Sequence, residues 1–285
     1  MKKRKPFIGK TIAYLILTAW AITTVYPIIW IVINAFKDRR YIISQSFSLP
    51  TGDIFTLDNF RLAFERVNIL GAYRNSLIIS CTVMLVVMLL AGLAAYGFVR
   101  YNFKGKSLLY SVLVAGMMFP VFSTIIPVFR MMNSWGIVNT DNLMLSLFAT
   151  ALPQIAGNLS FAIIVLMGYI KSLPIDLEEA AFIEGASVYK IYFRVVMPLA
   201  KPSFATVAIF SFLWSYNDLF TQMFMLRNKD QWAITRLLNE LTSMEGTNYG
   251  LMAAAVALVV IPVVIVYICL QKNIIRGLTA GAVKG

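Results

Sequence analysis

Histidine is absent from this chain. That removes the usual general base near neutral pH, the usual zinc ligand and the usual proton-relay side chain. Only two cysteines occur, Cys81 and Cys269, far apart inside apolar runs. They read as small buried hydrophobes, and neither a disulfide framework nor a thiolate metal site is expected. Charge is scarce too, at 13% of 285 residues, with 13 acids against 25 Lys and Arg for a net +12. What is abundant is apolar surface. Hydrophobic residues make up 59% of the chain, against about 45–50% in soluble domains, and the mean hydropathy is +0.76. This is the composition of a polytopic membrane protein. The cationic excess then reports topology, and no nucleic-acid partner is expected.

Six apolar runs, approximately 11–36, 73–99, 107–131, 143–170, 203–226 and 249–271, are long enough to span a bilayer as helices, which takes roughly 20 residues at 1.5 Å each. None alternates like a barrel strand, so the expected fold is all-α with six transmembrane helices. Met1-Lys2-Lys3-Arg4-Lys5-Pro6 resembles a signal-peptide start. The apolar run behind it is too long for one and lacks a cleavage site, so a retained first span is expected. Placing the N-terminus inside puts fifteen Lys and Arg against four acids on the inner segments and ten against eight on the outer ones. Both termini are therefore expected in the cytoplasm of a multi-pass membrane protein. Two outer segments result, 37–72 and 227–248, the second with a short amphipathic helix near 232–242. The expected organisation is an N-terminal helix and outer loop (1–72) followed by a core domain (73–285). Pro27, Pro120, Pro127, Pro153 and Pro262 fall inside the spans and permit kinks.

One inner loop stands out. Leu173-Pro174-Ile175-Asp176-Leu177-Glu178-Glu179-Ala180-Ala181-Phe182-Ile183-Glu184-Gly185-Ala186-Ser187 carries four carboxylates between two apolar runs. Pro174 disfavours helix before it. Asp176 and Glu179 have capping-box spacing, with Asp176 as N-cap. Acids in the first turn suit the helix dipole, Gly185 suits a left-handed stop, and Ser187 can cap a second helix. A short helix, a turn and another helix are expected at the membrane surface. Their acids either only cap, or the smooth Ala180-Ala181 face seats in a partner's groove.

Glu179-Ala180-Ala181, three residues, then Gly185, with Ile191 and Pro198 beyond, resembles the EAA loop of ATP-binding-cassette (ABC) importer permeases. The wider stretch through Val195-Val196-Met197-Pro198-Leu199 is similar to the carbohydrate branch, the maltose-permease type. The C-terminal Gly277-Leu278-Thr279-Ala280-Gly281-Ala282-Val283-Lys284-Gly285 resembles the tail of the second, six-span permease subunit of that branch. Asn75-Ser76-Leu77 and the Pro120–Pro127 stretch match as well. The resemblance covers about residues 70–285, and Glu184 stands where the family often has Asp.

The resemblance implies the ABC type I importer permease fold and alternating access. The loop, 173–198, would be a coupling helix seated in a cytoplasmic ATPase, with Glu178, Glu179, Ala180, Ala181, Glu184, Gly185, Ala186 and Ser187 at the contact. The tail, Gly281, Ala282, Val283, Lys284 and Gly285, would lie near the same interface. The implied partners are a second homologous permease, two ABC ATPase subunits, an extracytoplasmic sugar-binding protein, the sugar and membrane lipid. ATP and Mg would belong to the ATPases. This chain would be non-catalytic and hold no cofactor. Gly105-Lys106-Ser107 mimics the end of a P-loop, but the glycine required five residues earlier is Arg100.

Polar residues inside spans are the candidates for a translocation pathway: Gln154 and Asn158 on one helix face, and Asn217 and Asp218 flanked by Trp214, Tyr216 and Phe220. Aromatic faces with amide and carboxylate groups suit a sugar. The same groups could equally bond helix to helix toward the partner permease. Two other readings stay open. One is the same architecture carrying a non-sugar solute. The other is a secondary transporter, for which Asp218 is the one carboxylate available within a span.

Overall fold

The computed structural model describes residues 7–244 and 248–282. In chain order the helices are α1 (Phe7–Ala35), α2 (Arg39–Ser44), α3 (Asp58–Arg66), α4 (Ile69–Arg100), α5 (Lys106–Gly116), α6 (Val121–Ser134), α7 (Leu143–Ile170), α8 (Asp176–Ile183), α9 (Val188–Ile191), α10 (Met197–Leu199), α11 (Lys201–Asn217), α12 (Leu219–Met225), α13 (Ile234–Met244) and α14 (Tyr249–Ala282). Among the described residues the only extended pairing is an isolated bridge between Lys37 and Phe55.

α1, α4 and α7 are each long and apolar enough to cross a membrane, and two bent helix pairs bring the number to five if each counts as one span. The third apolar run, expected as one helix over 107–131, is two helices meeting at 102°. Pro120 explains the break. It cannot donate a backbone hydrogen bond, and it sits in extended geometry as the residue before α6. The fifth run, expected over 203–226, also divides. α11 ends at Asn217, and Asp218 takes a non-helical conformation and caps α12, accepting a hydrogen bond from the Thr221 amide at 3.0 Å. Asp218 is therefore a helix cap at a break, where the sequence had placed it within a span. Pro27, Pro127, Pro153 and Pro262 stay inside their helices.

The chain divides into two compact units, Met1–Asn68 with Leu238–Pro262 and Ile69–Leu237 with Val263–Gly285. In the first, α1 leaves Tyr14, Leu15 and Trp20 exposed along its length. Its C-terminal carbonyls are closed by a side chain far along the sequence: the Asn59 amide donates to Ala35 O (2.9 Å) and Lys37 O (2.8 Å). Gly250 of α14 lies against that amide, where a Cβ would come within 2.6–2.9 Å of it. Phe36 packs on Phe55 and Phe60. The fully buried Lys37 ammonium donates to Gln45 O and Ser46 O at 2.9 and 2.8 Å, and burial pushes its pKa below that of an ordinary lysine.

In the second unit α4 is central, packed most extensively on α7 and then on α11. Small buried residues make this close approach possible: Ala91, Gly92 and Ala95 of α4, Ala151 and Ala162 of α7, and Ser203 and Ser211 of α11. Lipid is as apolar as leucine, so membrane helices gain from such backbone proximity and from the hydrogen bonds it allows. The N-terminal end of α4 is fixed by two buried side chains. Asn75 donates to Asp230 O and Trp232 O, and the Ser76 hydroxyl accepts from the Ile234 amide at 2.8 Å.

Candidate functional site

The loop after α7 forms the short helix, turn and second helix that its sequence calls for, with one change at the start. Ile175 already has helical backbone angles, and its carbonyl accepts from the amides of Glu178 (2.8 Å) and Glu179 (3.1 Å). Asp176 therefore occupies the first helical position and makes no side-chain cap. Its charge lies in the first turn, where it suits the helix dipole. Gly185 takes the left-handed conformation, φ +78°, and ends α8. The Gly185 and Ala186 amides donate back to Phe182 O (2.9 Å) and Ala181 O (3.0 Å), closing the terminus. Ser187 caps α9, accepting from the Lys190 amide at 3.4 Å. A π-helical turn over Tyr192–Val196 then leads to α10, and the α9–α10 segment meets α11 at 81° where Pro198 and Pro202 flank the bend.

Glu179, Ala180, Glu184, Gly185 and Ser187 are exposed, and Ala181 and Ala186 are half-buried. So are the large apolar side chains of the same loop: Phe182 is 67% exposed, Ile183 83% and Tyr189 72%. A loop that turns out Asp176, Glu179 and Glu184 together with these large apolar groups offers a mixed docking surface.

Glu178, grouped above with the docking residues, belongs elsewhere. It is buried, and both carboxylate oxygens are taken within this chain. Arg100, the last residue of α4, holds Oε1 through two nitrogens at 2.7 and 2.8 Å, and the Tyr96 hydroxyl donates to Oε2 at 3.0 Å. The Arg100 guanidinium also donates to the Ile170 and Leu173 carbonyls, both at 3.2 Å. An arginine at the end of an apolar run normally reads as a topology marker, and nothing local in the sequence pairs it with a glutamate 78 positions away.

Four of the six pathway candidates come together. Gln154, Asn158, Trp214 and Asp218 line a cavity of about 710 Å³, joined by Phe119, Met131 and Trp135. The volume falls within the roughly 300–1,000 Å³ common for small-molecule sites. Ser215 anchors the wall by donating to Gln154 Oε1 at 2.5 Å. Trp214 is half-exposed and braced by Phe161 and Phe210. The other two candidates do not line the cavity. Tyr216 is buried against Phe212, and Asn217 turns back to donate to Leu213 O at 2.8 Å. Trp135, the residue after α6, also lines the cavity, and nothing in its sequence surroundings marks it as a lining residue. The tail is partly described: α14 runs through Gly281 and Ala282, while Val283, Lys284 and Gly285 lie outside the described residues. Among the described residues no cluster of metal-ligating side chains occurs.

Comparison with known proteins gives the family of this chain of bent apolar helices. Residues 72–280 match the model of the binding-protein-dependent transport system inner membrane component. The chain belongs to this family and is a membrane permease subunit, which is not itself an enzyme. It is 33% identical over 276 residues to the diacetylchitobiose uptake system permease protein NgcG of Streptomyces coelicolor, covering 96% of this chain and 88% of that one. It is 32% identical over 289 residues to the galactooligosaccharides transport system permease protein GanQ of Bacillus subtilis, covering 100% and 99%. The fold matches a chain of a bacterial ABC transporter involved in import of the acidic polysaccharide alginate, with a TM-score of 0.75 at 23% identity over 94% of this chain and 99% of that one.

Proposed function

We propose that this chain is one permease subunit of an ATP-driven, binding-protein-dependent importer of oligosaccharides. In this reading it crosses the inner membrane six times with both termini in the cytoplasm. It pairs with a second homologous permease. Two ATPase subunits hold ATP and Mg, and α8 seats in a cleft of one of them as the coupling helix. An extracytoplasmic binding protein delivers sugar at the outer segments. The observation that carries the reading is the exposure of Glu179, Phe182 and Ile183 on a short helix whose base is fixed through Glu178. The relatives' sugar substrates support the choice of cargo. Stimulation of ATP hydrolysis in the purified complex by its binding protein, across a panel of oligosaccharides, amino acids and polyamines, tests it. An oligosaccharide is expected to stimulate. Stimulation by an amino acid or polyamine alone would contradict the sugar assignment.

The cavity beside α11 serves as part of the translocation pathway in this account, with Trp214 and Asp218 facing the solute and Gln154 and Asn158 behind them. Asp218→Ala removes the α12 cap, worth about 1 kcal/mol, and also a carboxylate from the cavity wall. Asp218→Asn keeps a capping oxygen. Both variants are expected to raise the sugar concentration for half-maximal uptake severalfold. If only Asp218→Ala changes uptake, the role is the cap and not the solute.

A further inference from the structure

α4 touches the loop along a single stripe. Gly92, Tyr96 and Arg100 are four residues apart and share one helix face. At Gly92 the Tyr192 hydroxyl and the Phe204 ring fill the space a Cβ would occupy, the ring within 2.8 Å of that position. At Tyr96 the ring packs on Tyr192, with centroids 5.4 Å apart, and the hydroxyl reaches Glu178. At Arg100 the guanidinium takes Glu178 together with the last carbonyls of α7. Both halves of the loop, α8 through Glu178 and the π-helical turn through Tyr192, are thus fixed to one helix. The other end of that helix, about 36 Å away at 1.5 Å per residue, is fixed through Asn75 and Ser76 to residues 230–234.

We infer that α4 is the rod that carries movement between the loop and the outer segment at 230–234, and that Arg100, Tyr96 and Glu178 are positioning residues that clamp the loop to it. The inference rests on the reading of α8 as the ATPase contact. Charged hydrogen bonds suit this task because they are directional and resist sliding, whereas apolar contacts hold two surfaces together without fixing their register. The buried pair therefore carries displacement as well as holding the fold.

Removing one charge alone strands its partner in a buried site, so the informative variant is Arg100→Met/Glu178→Leu, which removes both. Its readout is ATP hydrolysis by the assembled complex with sugar-loaded binding protein, divided by the same preparation's basal rate. A purely structural role moves both rates together and leaves the ratio unchanged. The clamp requires the ratio to fall by about two- to thirtyfold, the range of coupling carried by such networks. Tyr96→Phe removes one hydrogen bond and no charge, and is expected to lower the ratio by about twofold. A wild-type ratio in the double variant overturns the inference, and if that variant fails to assemble, a wild-type ratio in Tyr96→Phe does so. A disulfide cross-link from Ala180→Cys to a cysteine in the ATPase cleft, in an otherwise unaltered complex, separates the two claims. No cross-link defeats the docking reading and this inference with it, whereas a cross-link with unchanged ratios defeats this inference alone.

Discussion

Gly185→Pro is expected to abolish binding-protein-stimulated ATP hydrolysis, at least tenfold below the unaltered complex, while the protein still inserts in the membrane. Gly185 holds φ at +78° and donates its amide to Phe182 O. Proline fixes φ near −65° and has no amide proton to give. The end of α8 and the start of α9 then cannot be joined as they are, and Phe182 and Ile183 lose their present orientation. The change lies on an exposed turn, so the packing of α4, α7 and α11 is untouched. Glu179→Lys probes the same surface without altering the backbone. Reversing an exposed charge at a helix N-terminus loses one such term and adds an opposing one, about 0.6–2 kcal/mol in dipole energy, too little to unfold a domain. A tenfold loss of stimulation in Glu179→Lys would therefore report a lost partner contact. Hydrolysis and uptake by the reconstituted complex are the measurements, and full coupling in both variants would remove α8 as the docking element.

Gly92→Val is expected to have the largest effect on folding. Any side chain at residue 92 collides with the buried Tyr192 hydroxyl and Phe204 ring. Tyr192 is buried and packed against the rings of Tyr96 and Phe193, so it cannot move aside without disturbing them. Overpacking of this kind typically costs 1–3 kcal/mol and sometimes more. Here it would separate α4 from α11 as well as from the loop. The expected result is a melting temperature in detergent lowered by several degrees and a low yield of assembled complex. Gly97→Val is the control, because a Cβ at Gly97 meets nothing within 4 Å. Equal stability of the two variants would show that the close approach at Gly92 is not needed.

The sequence speaks clearly wherever a property is local. Long apolar runs mark α1, α4 and α7, and the glycine and serine at 185 and 187 mark the turn and second helix of the loop. The motifs of the loop and tail are local as well, and they point to the permease family by residue identity and spacing alone. Side-chain direction is not local. Glu178 and Glu179 are adjacent and chemically alike, yet one turns inward to Arg100 and the other outward, because helix rotation sends neighbours to different faces. The breaks at Pro120 and Asp218 are ambiguous in sequence for a related reason. Proline is tolerated inside other helices of this chain, Pro127 and Pro153 among them, so its presence alone does not say which helix divides. Residues on both sides of these breaks line the cavity, Gly116 and Val121 around the first and Ser215 and Thr221 around the second, and Trp135 shares it with Trp214.

The most direct measurement is uptake of radiolabelled oligosaccharide into vesicles carrying this chain with its partner permease and ATPase subunits. ATP and Mg are supplied on the ATPase side and the binding protein on the other. The account predicts accumulation that requires both ATP and binding protein, and that is lost with Gly185→Pro. Accumulation that proceeds without ATP and follows an imposed ion gradient would contradict it.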